Sequence, residues 1–190
     1  MKKRIAILAS GTGSNAEKIM EHFKDASIAE IALVLSNRAN AAVLDKANRR
    51  NVSTEMLTNT EAANGEKLLA VLNEYAIDFV VLAGYMRLIP LEVAQYFEGR
   101  MVNIHPALLP KYGGKGMFGD HVHKAVIANG ERESGITIHY VNEIYDDGTI
   151  IFQATCPVDS GDDANSLASK IHQLEHAHYP AVVEKLVKGL

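Results

Sequence analysis

"RIAILASGTGSNAEKIMEHF", residues 4–23, is the stretch on which the fold turns. Ile5, Ala6, Ile7, Leu8 and Ala9 form a short, unbroken apolar run. Such a run suits a strand covered on both faces. A turn of Ser10, Gly11, Thr12 and Gly13 follows. From Ser14 the period changes, and Ile19, Met20 and Phe23 return on one face of a helix over Ser14–Phe23. Strand, glycine turn and amphipathic helix together open a βαβ unit.

The same rhythm continues through the first two-thirds of the chain. Glu30–Leu35 reads as a second strand, Asn40–Arg50 as a helix capped by Asn40, and Val52–Leu57 as a weaker third strand. Thr60–Tyr75 repeats apolar residues at Leu68, Leu69, Leu72 and Tyr75, the pattern of one helix. Asp78–Ala83 is an apolar strand, Pro90 opens a short helix, and Arg100–His105 is a further strand. This alternation predicts a Rossmann-like, doubly wound α/β fold whose mostly parallel sheet carries helices on both faces.

The last third differs. Gly113, Gly114, Gly116 and Gly119 make a loop, and Asp120 is expected to cap a helix through Ala128. Ile136–Val141 and Thr149–Val158 alternate like strands and are joined by a turn around Asp146, Asp147 and Gly148, an antiparallel element. A final helix starts near Asp163, with Pro180 predicting a kink or a restart before Leu190. With no repeat, linker or low-complexity tract, residues 1–190 read as a single domain.

Composition narrows the function. Hydrophobic residues make up 47% of the 190 and charged residues 22%, which is ordinary globular chemistry. A net charge of −4 offers no basic field for nucleic acid. No stretch approaches the roughly 18 apolar residues of a membrane span. Lys2, Lys3 and Arg4 precede too short an apolar run for a signal peptide. Cys156, the single cysteine, forms no internal disulfide and fits a reducing cytoplasm. The expectation is a cytoplasmic protein, monomer or homodimer, acting on small molecules, with no nucleic-acid or membrane partner.

In doubly wound folds ligands bind beyond the carboxyl ends of the strands. Two stretches fall there. In "SGTGSN", residues 10–15, the turn meets a helix N-terminus whose free N–H groups suit a phosphate. With Ala16 it also fits the dinucleotide pattern G-x-G-x-x-A, with Arg38 rather than an acidic residue after the second strand, so an NADP reading stands beside a plain tight turn. In "VNIHP", residues 102–106, Asn103 and His105 leave one face of a strand that Pro106 ends.

"HQLEH", residues 172–176, matches a zinc-peptidase pattern, but a third ligand would have to come from upstream; the plain reading is a polar helix face. His22 reads as surface, and His121 and His123 as flanking a helix start. Asp146 and Asp147 suit a turn, and one of them could orient a strand-end imidazole. No Gly-x-Ser-x-Gly occurs, and Cys156 sits within a strand, so a covalent nucleophile has weak support.

Taken together, SGTGSN (10–15), SNR (36–38), LAGYMRLI (82–89), NIHPALLPKY (103–112), GITIHYVNEIYDDG (135–148) and EHAHYP (175–180) resemble the glycinamide ribonucleotide transformylase family of folate-dependent formyltransferases. The resemblance implies a seven-stranded mixed sheet, 10-formyltetrahydrofolate as co-substrate, no metal, and the amine of glycinamide ribonucleotide as acceptor in purine synthesis. It implies that Asn103 and a protonated His105 stabilise the oxygen of a tetrahedral intermediate while Asp146 favours the imidazolium. Gly13, Ser14 and Asn15 would hold the acceptor's phosphate and Glu175 its amine. Met86, Arg87, Leu88 and Ile89, with Asn103, would line the folate pocket. Two departures stand out. No arginine lies between Arg50 and Arg87 for the folate's glutamyl carboxylate, leaving Lys67 or no residue. The loop 113–123 is longer than the best-known family pattern and is expected to be mobile. A methionyl-tRNA formyltransferase would need a further C-terminal domain, and a formyltetrahydrofolate hydrolase an N-terminal one.

Overall fold

In the computed structural model, which describes residues 1–190, seven strands form one sheet. They are β1 (Lys3–Leu8), β2 (Ala29–Ser36), β3 (Ser53–Met56), β4 (Phe79–Leu82), β5 (Met101–His105), β6 (Glu133–Tyr140) and β7 (Ile150–Pro157). Their order is β3-β2-β1-β4-β5-β6-β7. β1 to β5 pair parallel, and β6 and β7 antiparallel. The helices are α1 (Ser14–Phe23), α2 (Ala42–Asn48), α3 (Asn59–Ala62), α4 (Gly65–Glu74), α5 (Leu91–Tyr96), α6 (Asp120–Ala128) and α7 (Ala164–Lys188). The doubly wound, mostly parallel sheet is as expected.

Both faces of the central strands are covered, which is why β1 reads as an unbroken apolar run. Ile5, Ile7, Phe79, Val81, Val102 and Ile104 pack with residues of α1, α2, α6 and α7. Ala6, Leu8, Val80, Leu82 and Met101 pack with residues of α4 and α5. Alternation along β5 therefore puts Asn103 and His105 on the same face as Met101, at the carboxyl end of the sheet. The chain leaves β1 for β2 on one side and returns to β4 on the other. That switch point between β1 and β4 is where such sheets form their ligand crevice.

Local differences have local causes. α2 begins at Ala42, and its N-cap is Ala41 without a side-chain bond, so Asn40 does not cap it. The cap is dispensable because Gly11 O accepts from Val43 N at 3.2 Å, satisfying a donor of the first turn. The helix expected over Thr60–Tyr75 is two. Thr58 and Glu61 form a capping box for α3, and Asn64 restarts the chain by accepting from Lys67 N. Asp120 is the first residue of α6 and Gly119 its N-cap. α7 runs through Pro180 without a restart, since the buried Tyr179 and Pro180 anchor that turn in the core against the loss of one hydrogen bond. No helix is long and apolar enough to cross a membrane.

Candidate active site

A cavity of about 550 Å³ opens along the carboxyl edge of the sheet. Gly13, Ser14, Asn15, Met86, Arg87, Leu88, Ile89, Asn103, His105, Asp146 and Glu175 all line it. Residues from five separate stretches thus meet in one place. Ser10 joins two of them: its N–H donates to Gly84 O at 3.0 Å and its Oγ accepts from Met86 N at 2.9 Å. The glycine turn after β1 is thereby fastened to the segment after β4.

At one end of the cavity lies the N-terminus of α1. Gly13 is its N-cap with φ 69°, a left-handed conformation, and no side chain caps the helix. The first-turn N–H groups are left for a ligand. A Cβ at Gly13 would collide with the Val43 side chain, so both backbone and space require glycine. Beside the turn, Asn15 Nδ2 donates to Glu175 Oε2 at 3.0 Å, across from α7. Burial pushes the Glu175 carboxyl above its ordinary range, against the hydrogen bond from Asn15 and the charge of His172.

At the other end sit the polar residues of β5, β6 and the following turn. His139 is the cross-strand partner of Asn103. Its Nδ1 donates to Tyr140 O at 2.8 Å, which leaves Nε2 as the acceptor for Asn103 Nδ2 at 3.1 Å. This fixes the Asn103 amide with its NH₂ facing His139. The second N–H makes only a long contact of 3.4 Å with Asp146 Oδ1 and is the freer of the two. Asp146 Oδ2 accepts from Gly114 N at 2.9 Å and stands 3.5 Å from His105 Nδ1. The other ring nitrogen, Nε2, lies 2.7 Å from Tyr112 O. Both nitrogens of His105 therefore face acceptors.

Two opposing effects act on His105. Asp146 and the Tyr112 carbonyl favour the imidazolium, as expected of the aspartate, but burial outweighs them and the pKa lies below the ordinary histidine value. With the side chain 4% exposed, water contributes little to holding a charge. Burial also opposes the charge of Asp146, but a proton on the His139 or His105 ring and the Gly114 amide act to hold its carboxyl below the usual range.

Other assignments are resolved differently. Lys67 pairs with Glu61 and does not reach the cavity, whose cationic side chains are Arg87 and Lys115. Arg38 does not line it; its guanidinium lies 3.8 Å from Met86 Sδ at the edge. His172 and His176 stack with ring centroids 6.2 Å apart, while Glu175 turns to Asn15. No three His, Cys, Asp or Glu side chains converge to hold a metal. His123, read as merely flanking a helix, is buried at the cavity wall. His139 also escaped notice, although its spacing from Thr137 in an alternating strand is the signal that would have exposed it.

A doubly wound sheet with its cavity at the switch point places the chain among α/β proteins that bind ligands at strand carboxyl ends. Within that class it belongs to the formyl transferase family, whose model matches residues 3–183. The chain is 41% identical to the chloroplastic phosphoribosylglycinamide formyltransferase of Arabidopsis thaliana over 96% of its own length and 64% of that relative's, so it spans under two thirds of the plant protein. To the phosphoribosylglycinamide formyltransferase of Escherichia coli it is 35% identical, over 97% of this chain and 87% of the relative. Among solved structures, glycinamide ribonucleotide transformylase 1 from Geobacillus kaustophilus superposes with a TM-score of 0.89 at 35% identity, covering 98% of this chain and 100% of that one.

Proposed function

We propose that this chain transfers the formyl group of 10-formyltetrahydrofolate to the amine of glycinamide ribonucleotide. The observation that carries the reading is the joining, in one cavity, of an open helix N-terminus with the Asn103–His105–Asp146 cluster. The acceptor's phosphate binds the N–H groups at Gly13, Ser14 and Asn15. Glu175 meets its amine. The folate lies against Met86, Arg87, Leu88 and Ile89, with Arg87 and Lys115 as the cations within reach of its carboxylates.

The amine attacks the formyl carbon, and the carbonyl electron pair moves onto oxygen. The freer N–H of Asn103 turns to that oxygen, and His105 takes the proton that the attacking amine gives up. Asp146 shares the resulting imidazolium. The intermediate then collapses: the carbonyl re-forms, the bond from the formyl carbon to N10 of the folate breaks, and N10 leaves with the proton from His105. A preorganised donor such as the Asn103 N–H is worth about 3–4 kcal/mol of barrier. Residues 1–190 act as one formyltransferase domain, supported by the single continuous sheet, and the lone Cys156 suits a reducing cytoplasm.

The test is folate release from 10-formyltetrahydrofolate with and without glycinamide ribonucleotide, repeated with a chelator. Acceptor-dependent release, indifferent to chelation, is expected. Release that ignores the acceptor would point to a hydrolase and overturn the reading.

A further inference from the structure

His123 on α6 is only 3% exposed and lines the cavity, and its Nδ1 has no hydrogen-bond partner within the protein. A buried polar atom without a partner is costly, and at a cavity wall the missing partner is a ligand's to supply. Its position narrows which ligand. α7 packs against both α1 and α6. Along that wall Glu175 is bonded to Asn15, His172 lies one helical turn earlier, and His123 follows on α6. The charges that reach His123 come from His172 on α7, Asp120 on its own helix and His105 on β5. His123 thus lines the same cavity as the α1 N-terminus and the Asn103–His105 cluster, near enough to His172 and His105 to feel their charges.

We propose that His123 is a specificity residue of the acceptor subsite, its imidazole hydrogen-bonding the hydroxyl groups of the pentose between the acceptor's phosphate and its amine. The inference rests on the proposed function, which puts the phosphate at the α1 N-terminus and the attack of the amine on the formyl carbon at the Asn103–His105 cluster. The pentose spans the interval and carries hydroxyls but no charge. Burial, reinforced by His172, holds the His123 pKa below the ordinary value, which favours the neutral ring. A neutral imidazole offers one donor and one acceptor nitrogen, and a hydroxyl can meet either.

His123→Phe keeps a planar ring and removes both nitrogens; His123→Asn restores a polar atom near the position of Nδ1. Steady-state kinetics are measured with glycinamide ribonucleotide and with an analogue in which hydrogen replaces both ring hydroxyls. The wild-type chain should prefer the hydroxylated acceptor by about tenfold or more. His123→Phe should lose most of that preference, with acceptor KM raised about tenfold and formyl-folate KM unchanged, and His123→Asn should recover part of it. Undiminished preference in His123→Phe overturns the proposal. So does an equal rise in both KM values, or an Asn variant no better than Phe, either of which marks a packing role. Failure of the proposed function looks different: the wild-type chain itself would show no dependence on acceptor, which overturns both.

Discussion

Asp146→Asn removes one charge and little else. Asp146 has φ 55°, a conformation Asn tolerates as well as Asp. Its amide oxygen can still accept the Gly114 N–H that Asp146 Oδ2 accepts at 2.9 Å. What disappears is the attraction between a carboxylate and an imidazolium 3.5 Å apart. At an effective dielectric of about 20 that attraction is about 5 kcal/mol. Burial holds the His105 pKa down, so the gain accrues as the proton arrives, and the Asn dipole retains part of it. A barrier increase of about 2–3 kcal/mol follows, which is roughly a 30- to 150-fold fall in kcat. Both KM values should stay within about threefold, because other residues hold the substrates. Single-turnover formyl transfer isolates the chemical step. His105→Ala should cost at least as much, and the double variant should be little worse than His105→Ala alone, because the carboxylate acts through the imidazole. Near-normal turnover in Asp146→Asn, or losses that multiply in the double variant, would refute the reasoning.

Gly13→Ala should raise acceptor KM at least about tenfold without changing formyl-folate KM, since the added Cβ meets Val43 and the left-handed backbone resists a side chain; initial-rate kinetics on each substrate decide it. Tyr179→Phe removes the hydroxyl that donates to Leu82 O at 2.9 Å and Val102 O at 3.3 Å, fastening α7 to β4 and β5. It should cost about 1–2 kcal/mol and lower Tm by about 3–6 °C in a calorimetric scan. Stability should fall with acid in two stages. His105 and His123 have folded pKa values below their unfolded ones, so the unfolded chain binds more protons and their contribution is lost as pH drops below about 6.5. Asp146, also depressed, contributes above its unfolded value of about 3.9 and loses that contribution below it. Urea unfolding between pH 4 and 8 (His123→Asn flattening the upper limb) measures the first stage, and a flat wild-type profile there would contradict it.

Much of this protein was legible in its residues, because local periodicity carries the signal for buried strands and amphipathic helices. The run Ile5–Ala9 and the helix Ser14–Phe23 follow from hydrophobic pattern alone, as does the pairing of Asn103 with His105 on one strand face. The motifs named the stretches that line the cavity. They could not say what each side chain would meet there. Asn40 loses its role as a cap because the Gly11 carbonyl, distant in sequence, already satisfies the Val43 N–H. Pro180 does not end α7, since burial around Tyr179 outweighs one missing hydrogen bond. His139 matters only because β6 pairs antiparallel with β5 in the register that sets it opposite Asn103. The charge of His105 was the hardest to foresee. Sequence supplies the aspartate that favours the imidazolium, but only the folded chain sets how completely water is excluded, and exclusion of water is the larger effect.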